Sequence, residues 1–329
     1  MKVLITGGAG YIGSTVASAC EDAGHDVVIL DDFSTGRREF IGERPLYEGD
    51  IADDSLLDRL LREQRIDAVV HCAAKIIVPE SVSEPLAYYE NNVAKTVTLL
   101  AALQRNGVER FLFSSSASIY APDENFVVTE DSPLQPGSPY ARTKFMVELI
   151  LEDFTRASDV RVASLRYFNP IGTDPKLRSG QQLEKPSHVL AKLLEAWVNK
   201  ETFTVTGVDW PTRDGSGIRD FIHVWDLARA HVAALEHFDE ATATDPYQVF
   251  NIGTGNGVTV KELAASFEKI TGDPLKVRFG DPRPGDVAGV YTVSTKARDV
   301  LGWEAELTET DAVRDAIAWL PVRKERLGY

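Results

Sequence analysis

Residues 2–13 read Lys2-Val3-Leu4-Ile5-Thr6-Gly7-Gly8-Ala9-Gly10-Tyr11-Ile12-Gly13, and this stretch decides the fold. The apolar run suits a buried strand, and the glycines after it suit a tight turn into a helical segment that ends near Gly24. Glycine lets the backbone approach a pyrophosphate, to which the start of a helix offers unpaired N–H groups and a partial positive charge. The spacing is Gly-x-x-Gly-x-x-Gly, not the commoner Gly-x-Gly-x-x-Gly, so the match rests on its context. That context is a second buried strand, Asp26-Val27-Val28-Ile29-Leu30, ending at Asp31-Asp32, about 20 residues beyond the glycines. A carboxylate there accepts the ribose hydroxyls of NAD and repels the extra phosphate of NADP. Arg37 and Arg38, slightly further on, keep NADP open as an alternative.

Strands and helices continue to alternate. Leu46 to Ile51 reads as a third strand running into a loop, and Asp53 as the cap of a helix holding Leu56, Leu57, Leu60 and Leu61. Ala68 to Ala74, Arg110 to Ser114 and Val160 to Tyr167 supply the fourth to sixth strands, and long helical patterns cover 86–106 and 140–157. The predicted class is α/β, a doubly wound parallel (Rossmann-type) sheet with ligands at the carboxyl ends of its strands. Beyond Asn169 the texture changes to a polar loop over 173–186 and a helix around 189–194. A strand at Phe203-Thr204-Val205 and turn-rich 210–217 follow, then a helix from Asp226 to Glu236, a strand at 249–253 and a helix at 260–271. We expect a smaller, interleaved C-terminal substrate lobe: 1–168 plus 219–252 for the NAD-binding domain, and 169–218 plus 253–329 for the lobe.

With 329 residues, 43% hydrophobic and 26% charged, the chain can bury one large core or two modest ones. Its net charge of −15 argues against sequence-independent binding to nucleic acid or an anionic membrane, which needs positive surface. An anionic small substrate remains compatible with local arginines. Cys20 and Cys72 each sit in an apolar run without metal-ligand spacing, so both are expected to be buried free thiols. The sequence shows no signal-peptide pattern and no apolar run long enough to span a bilayer, so the expected location is the cytoplasm. His223 and His231, eight apart in a helical pattern, lie too far apart to share an ion, and no metal is assigned.

The chemistry centres on Ser138-Pro139-Tyr140-Ala141-Arg142-Thr143-Lys144, which opens the helix over 140–157. Tyr140 and Lys144, four apart, share one helix face. Lowering a phenol from about 10 to about 7 takes roughly 4 kcal/mol, which one positive charge at ~4 Å supplies at an effective dielectric of ~20. Lys144, with a cationic cofactor ring, is therefore expected to make Tyr140 a general base at neutral pH. Ser114-Ser115-Ser116 closes the fifth strand, where the fold puts its ligand. A hydroxyl there completes a site that moves a proton off an alcohol while hydride passes to nicotinamide.

With these motifs in view, the chain resembles the extended short-chain dehydrogenase/reductase family, and within it the branch that epimerises UDP-sugars at C4. The resemblance runs through GGAGYIG, Gly49-Asp50-Ile51, Asn91-Asn92-Val93, SSSASIY, PYARTK, RYFNPIG, DGSGIRDFIHVWDLA, NIGTG and Pro282 to Asp286. It implies that Gly7, Gly10, Tyr11, Ile12 and Gly13 hold the NAD pyrophosphate. Asp31, Asp32, Phe33, Ser34 and Gly36 would surround the adenosine ribose and Asp50-Ile51 the adenine. Ala73, Ala74, Asn91, Ser114 and Phe168 would line the cofactor together with Tyr140 and Lys144. Ser116 and Tyr140 would meet the sugar, Asn169 the sugar diphosphate, and Arg219 and Arg283 the two phosphates. Asp286 would meet the uridine ribose, and His188, Val189, Thr204, Val205 and Thr206 would also border the substrate. The implied reaction oxidises the sugar at C4 to a ketone, lets it turn about its diphosphate, and reduces the other face. A homodimer formed by the two long helices is also implied.

Two departures carry expectations of their own. Where many relatives have a cofactor-side lysine this chain reads Lys75-Ile76-Ile77, which leaves the role of Lys75 open. Val290 falls at a residue bordering the sugar pocket, and its modest size admits UDP-N-acetylglucosamine. A nucleotide-sugar dehydratase carries Asp-Glu directly after the strand-five Ser or Thr, whereas here Ala117-Ser118 follow Ser116. An epimerase of another UDP-sugar, a pentose or a uronic acid, stays open, as does a non-catalytic NAD-binding module.

Overall fold

The computed structural model describes residues 1–121, 123–186, 188–282 and 287–329. The glycine-linked start of the chain forms β1 (Lys2–Thr6), α1 (Tyr11–Asp22) and β2 (Asp26–Asp31). There follow β3 (Leu46–Glu48), α2 (Asp54–Gln64) and β4 (Ala68–His71). Asp53 caps α2 by accepting from Leu56 N. Short helices α3 (Val78–Ser83) and α4 (Pro85–Tyr89) lead through a π turn at Glu90–Ala94 into α5 (Lys95–Arg105). The helix expected over 86–106 is thus broken in the middle: one extra residue in the π turn rotates the face that carries Asn91 and Asn92.

Next come β5 (Arg110–Ser114), β6 (Val127–Val128), α6 (Pro139–Ala157), β7 (Arg161–Tyr167) and β8 (Asn169–Ile171). The remaining strands are β9 (Thr202–Thr206), β10 (Ile218–His223), β11 (Tyr247–Ile252), β12 (Gly257–Thr259), β13 (Lys276–Gly280) and β14 (Tyr291–Thr292). Between and after them run α7 (Val189–Asn199), α8 (Val224–Glu236), α9 (Phe238–Ala241), α10 (Val260–Thr271), α11 (Thr295–Leu301) and α12 (Glu309–Leu327).

Seven strands form one parallel sheet in the order β11-β7-β5-β4-β1-β2-β3. The order reverses beside β1, so the crevice of this doubly wound sheet opens at the carboxyl ends of β1 and β4. One apolar cluster, with Val16, Ile29, Leu227 and Phe250, covers one face, and a second, with Leu57, Leu99, Phe111 and Leu151, covers the other. Strands buried on both sides account for their near-continuous apolar sequence. A third cluster, built from α7, α10 and α12, holds together the three-stranded sheet β12-β10-β8 and the pair β13-β9. Ala297, Leu301 and Trp303, on and just after α11, pack into the main sheet's core and not into this third cluster.

Candidate active site

The glycine turn forms as its sequence requires. Gly7 takes φ +71°, and a Cβ there would lie 2.7 Å from the Ala73 nitrogen. Gly10 caps α1 without a side-chain bond, and the first turn carries no acidic residue. Its N–H groups therefore face the crevice with positive polarity, ready for an anion. Tyr11 donates its hydroxyl to the Gly172 carbonyl at 2.7 Å, which ties the turn to the segment after β8. Asp31 ends β2 only 7% exposed, and accepts from Ala9 N and Phe33 N, both at 2.8 Å. Burial raises its carboxyl above the ordinary range and the two N–H bonds oppose this. Its remaining lone pairs suit ribose hydroxyls. A bare backbone cradle, a helix N-terminus and a buried acceptor fit a dinucleotide.

Neighbouring residues are more self-contained than the sequence implies. Asp32 accepts from the backbone and hydroxyl of Ser34, at 2.9 and 2.6 Å. Gly36 is pressed against Ala9 and Asp31. Arg38 pairs with Glu48 and covers the Phe33 ring at 4.3 Å, while Arg37 donates to the Tyr329 hydroxyl. Both guanidiniums thus have partners. Asp50 pairs with Lys95 at 2.5 Å, and Ile51 is buried in the core. Asn91 donates to Asn92, and it is Asn92, 3% exposed, that clamps both backbone groups of Lys75 and reaches Thr143. The Lys75 side chain turns to Glu80 at 3.4 Å and to the Tyr88 ring.

Ser138 caps α6, accepting from Ala141 N, and Pro139 sets its first turn. Tyr140 and Lys144 lie on one buried face, at 8% and 3% exposure. Ser116 Oγ donates to Ser118 Oγ at 2.9 Å, and its hydroxyl lies near enough to the Tyr140 phenol to favour the ionised form. The acidity expected of Tyr140 needs correction. Burial pushes the phenol above its ordinary value, and the nearby Ser116 hydroxyl opposes this. The long Lys144 side chain passes the phenol and donates to the Ser114 carbonyl at 2.7 Å, over the Phe113 ring. Burial pushes its ammonium down to about 8, with Cys72 and Glu148 acting the other way. Sharing a helix face does not by itself bring charge to the phenol.

Two further expectations change. Both thiols are free, but Cys72 is half-buried, with its Sγ 3.3 Å from Ser114 Oγ, and only Cys20 is fully buried. His223 closes β10 instead of lying in a helix; it accepts from Trp225 N to cap α8 and lies 3.2 Å from Asp315. His231, on α8, lies 3.3 Å from Ser114 Oγ. Among the described residues no group of three or more His, Cys, Asp or Glu is arranged to hold a metal ion.

On the substrate side, Phe168 is buried and Asn169 exposed at the start of β8. Val290 packs with Ala117, Tyr120, Val128 and Phe168, beside the Ser116 loop. His188 caps α7 through Nδ1, lies 2.6 Å from Gln181, and is pushed down to about 4 by burial. Val189 follows as the first residue of that helix. On β9, Val205 points into the lobe core, and Thr204 accepts from Arg278 at 2.7 Å; Thr206 is half-buried. Arg219 donates to the Ile218, Val287 and Ala288 carbonyls. The residues Arg283 and Asp286 lie outside the described residues. Sequence reasoning passed over Tyr120, Glu148, Arg166 and Asn251, buried polar residues behind the site. Three of them stand inside matched motifs or next to them, which was the available signal.

Comparison with known proteins places this geometry. Residues 3–253 match the family described as NAD dependent epimerase/dehydratase. The chain is similar to the UDP-glucose 4-epimerase of Azospirillum brasilense, 42% identical over 99% of this chain and 94% of that protein. The crystal structure of UDP-glucose-4-epimerase from Stenotrophomonas maltophila, with bound NAD and formylated UDP-arabinopyranose, superposes with a TM-score of 0.94. It is 35% identical, with 99% of each chain covered. That of UDP-glucose 4-epimerase from Bifidobacterium longum, in complex with NAD+ and UDP, gives 0.92 at 34% identity, over all of both chains.

Proposed function

The chain belongs to the NAD dependent epimerase/dehydratase family, and from that premise we propose that it interconverts UDP-galactose and UDP-glucose by epimerisation at C4. NAD, when bound, supplies a reversible hydride acceptor and a positively charged ring beside the phenol. Gly7, Gly10 and Gly13 leave room for its pyrophosphate, and Asp31 receives its ribose hydroxyls. Tyr140 takes the proton from the sugar 4-hydroxyl and later returns it. Ser116, close to that phenol, holds the same oxygen and relays the proton. Lys144 keeps its ammonium at the Ser114 carbonyl beneath them. The 4-keto sugar turns about its diphosphate before it is reduced on the other face, so the grip must be firm at the UDP and loose at the hexose. Arg219 and Arg283 suit the phosphates, and Asp286, His188, Val189 and Thr204 to Thr206 the nucleoside.

One observation carries this reading: the Ser116 hydroxyl and the buried Tyr140 phenol meet at the end of β5, with Ala117-Ser118 where a dehydratase needs two carboxyl groups. Its test is purified protein, with no NAD added, incubated with UDP-galactose. UDP-glucose should form; a substrate returned unchanged, with NAD shown to be bound, sinks the proposal. UDP-N-acetylgalactosamine belongs in the same experiment, because the modest size of Val290 leaves space for an N-acetyl group.

We also take the division at 1–168 plus 219–252 and 169–218 plus 253–329 as the working one, although α11 packs on the first unit. Leu86, Val97, Met146 and Leu149 are exposed on or beside α4, α5 and α6, which supports a homodimer through these helices. Free thiols suit the cytoplasm. No described helix is long and apolar enough to cross a membrane.

A further inference from the structure

Behind the site lies an ion pair that the reaction does not use. Glu148 stands on α6 one turn after Lys144 and two turns after Tyr140, and Arg166 is the penultimate residue of β7. Their side chains are 4% and 6% exposed. Arg166 Nε donates to both Glu148 oxygens, at 3.0 and 3.2 Å, and Nη2 donates to Oε2 at 2.6 Å. The pair also holds the segment that carries Ser116 at both ends. Ser115 donates its hydroxyl to Glu148 at 2.5 Å. Arg166 Nη1 donates to the Tyr120 hydroxyl at 3.0 Å, and Tyr120 in turn donates to Asn251 at 2.6 Å. Ser116 and Ala117 lie between those two anchors. Phe168 and Asn169 follow Arg166 by two and three residues along the chain.

A buried ion pair is weak evidence for stability, because desolvation offsets much of the attraction and well-packed apolar residues often serve as well. An apolar pair, however, could not bond Ser115 and Tyr120 at once. We propose that the Glu148–Arg166 pair is the positioning element of the site, fixing the Ser116 segment in register with the helix that carries Tyr140 and Lys144. The inference rests on the epimerase reading above. A loop displaced by about 1 Å can cost on the order of a hundredfold in rate while substrate binding through the diphosphate is untouched.

The test uses NAD-loaded protein and UDP-galactose. Ser115→Ala, which removes one oxygen, should lower kcat about tenfold, and Glu148→Gln on the order of a hundredfold, both with KM within about twofold of the unmodified chain. The isotope effect with substrate deuterated at C4 should rise in both, since the chemical step has been slowed. Added to Ser116→Ala, the Ser115→Ala change should cost less than about twofold, because the group it positions is gone. If Glu148→Gln does not fold, the Ser115 and Ser116 variants decide alone. Unchanged kcat in folded variants, or effects of Ser115→Ala and Ser116→Ala that multiply in full, overturns the inference. An unmodified chain that leaves UDP-galactose unchanged defeats the epimerase reading instead.

Discussion

The carboxyl edge of the main sheet and the outer edge of the substrate lobe are built in contrasting ways. At the first, Ser114, Ser115, Ser116, Tyr140 and Lys144 are all buried, and the three serines and Lys144 are hydrogen-bonded through their side chains. At the second, Lys276, Val277, Arg278 and Phe279 of β13 are exposed, and among the described residues the strand pairs with β9 alone. Proton and hydride transfer demand fixed distances, which buried, bonded groups supply. On the function proposed above, the nucleotide enters and leaves beside this edge, which a short exposed strand pair can allow at little cost in packed surface.

The largest effect that could break this contrast is at Tyr140. Tyr140→Phe removes the proton acceptor and should lower kcat by roughly 10²–10⁴-fold while NAD content, read by absorbance of the released cofactor, stays at the level of the unmodified chain. Retained activity would show that the buried edge is not where the chemistry happens. Gly7→Ala comes next: a positive φ and a Cβ crowding Ala73 should destabilise the fold by about 2–3 kcal/mol and reduce bound NAD. Urea unfolding and cofactor content check it, and an unchanged midpoint would mean that the cradle is not tight.

A third measurement uses pH. His71 sits between Thr6 and Thr96, and burial, helped by the charge of Lys144, pushes it down to about 3. Its pKa is lower folded than unfolded, so the unfolded chain binds the proton first as pH falls below about 6.5. Stability should then drop by roughly 1.4 kcal/mol per pH unit between about pH 6 and 3 from this group alone. His71→Asn should give a shallower slope in urea midpoints taken at successive pH values; equal slopes would remove His71 from the account. The smallest effect is expected on the lobe edge. Phe279→Ser, at 61% exposure, should change stability by less than about 0.5 kcal/mol. A larger loss would show that β13 is packed more firmly than its exposure implies.

How legible these two regions were in the sequence differs for the same reason. Strands of the main sheet are largely apolar because both faces are covered, and glycines, Asp53 and Ser138 mark their connections. The lobe's strands β8 and β12 span three residues and β14 two, and β6 of the first unit also spans two, too short for any period to register. Helix α12 carries Pro321 inside it, a residue that ordinarily argues for a break. The π turn at Glu90–Ala94 has no propensity signature either, so Asn92 went unassigned beside Asn91. For the site itself, spacing located Tyr140 and Lys144 on one face correctly, but could not say that the ammonium would reach the Ser114 carbonyl. Nor could it pair Glu148 with Arg166, which meet only once α6 and β7 are packed.

The loop after β2 sets the terms on which this protein's coenzyme preference could be redesigned. Accepting a 2′-phosphate would mean removing the Asp31 carboxylate, yet that carboxylate also fastens the N–H groups of Ala9 and Phe33. A guanidinium would have to be recruited as well, and Arg38 is already engaged by Glu48. Replacing Asp31 alone would therefore unlatch the loop before it created a new specificity. An engineer would do better to release Arg38 first, through Glu48→Gln, and exchange Asp31 for an uncharged residue that still accepts two N–H bonds.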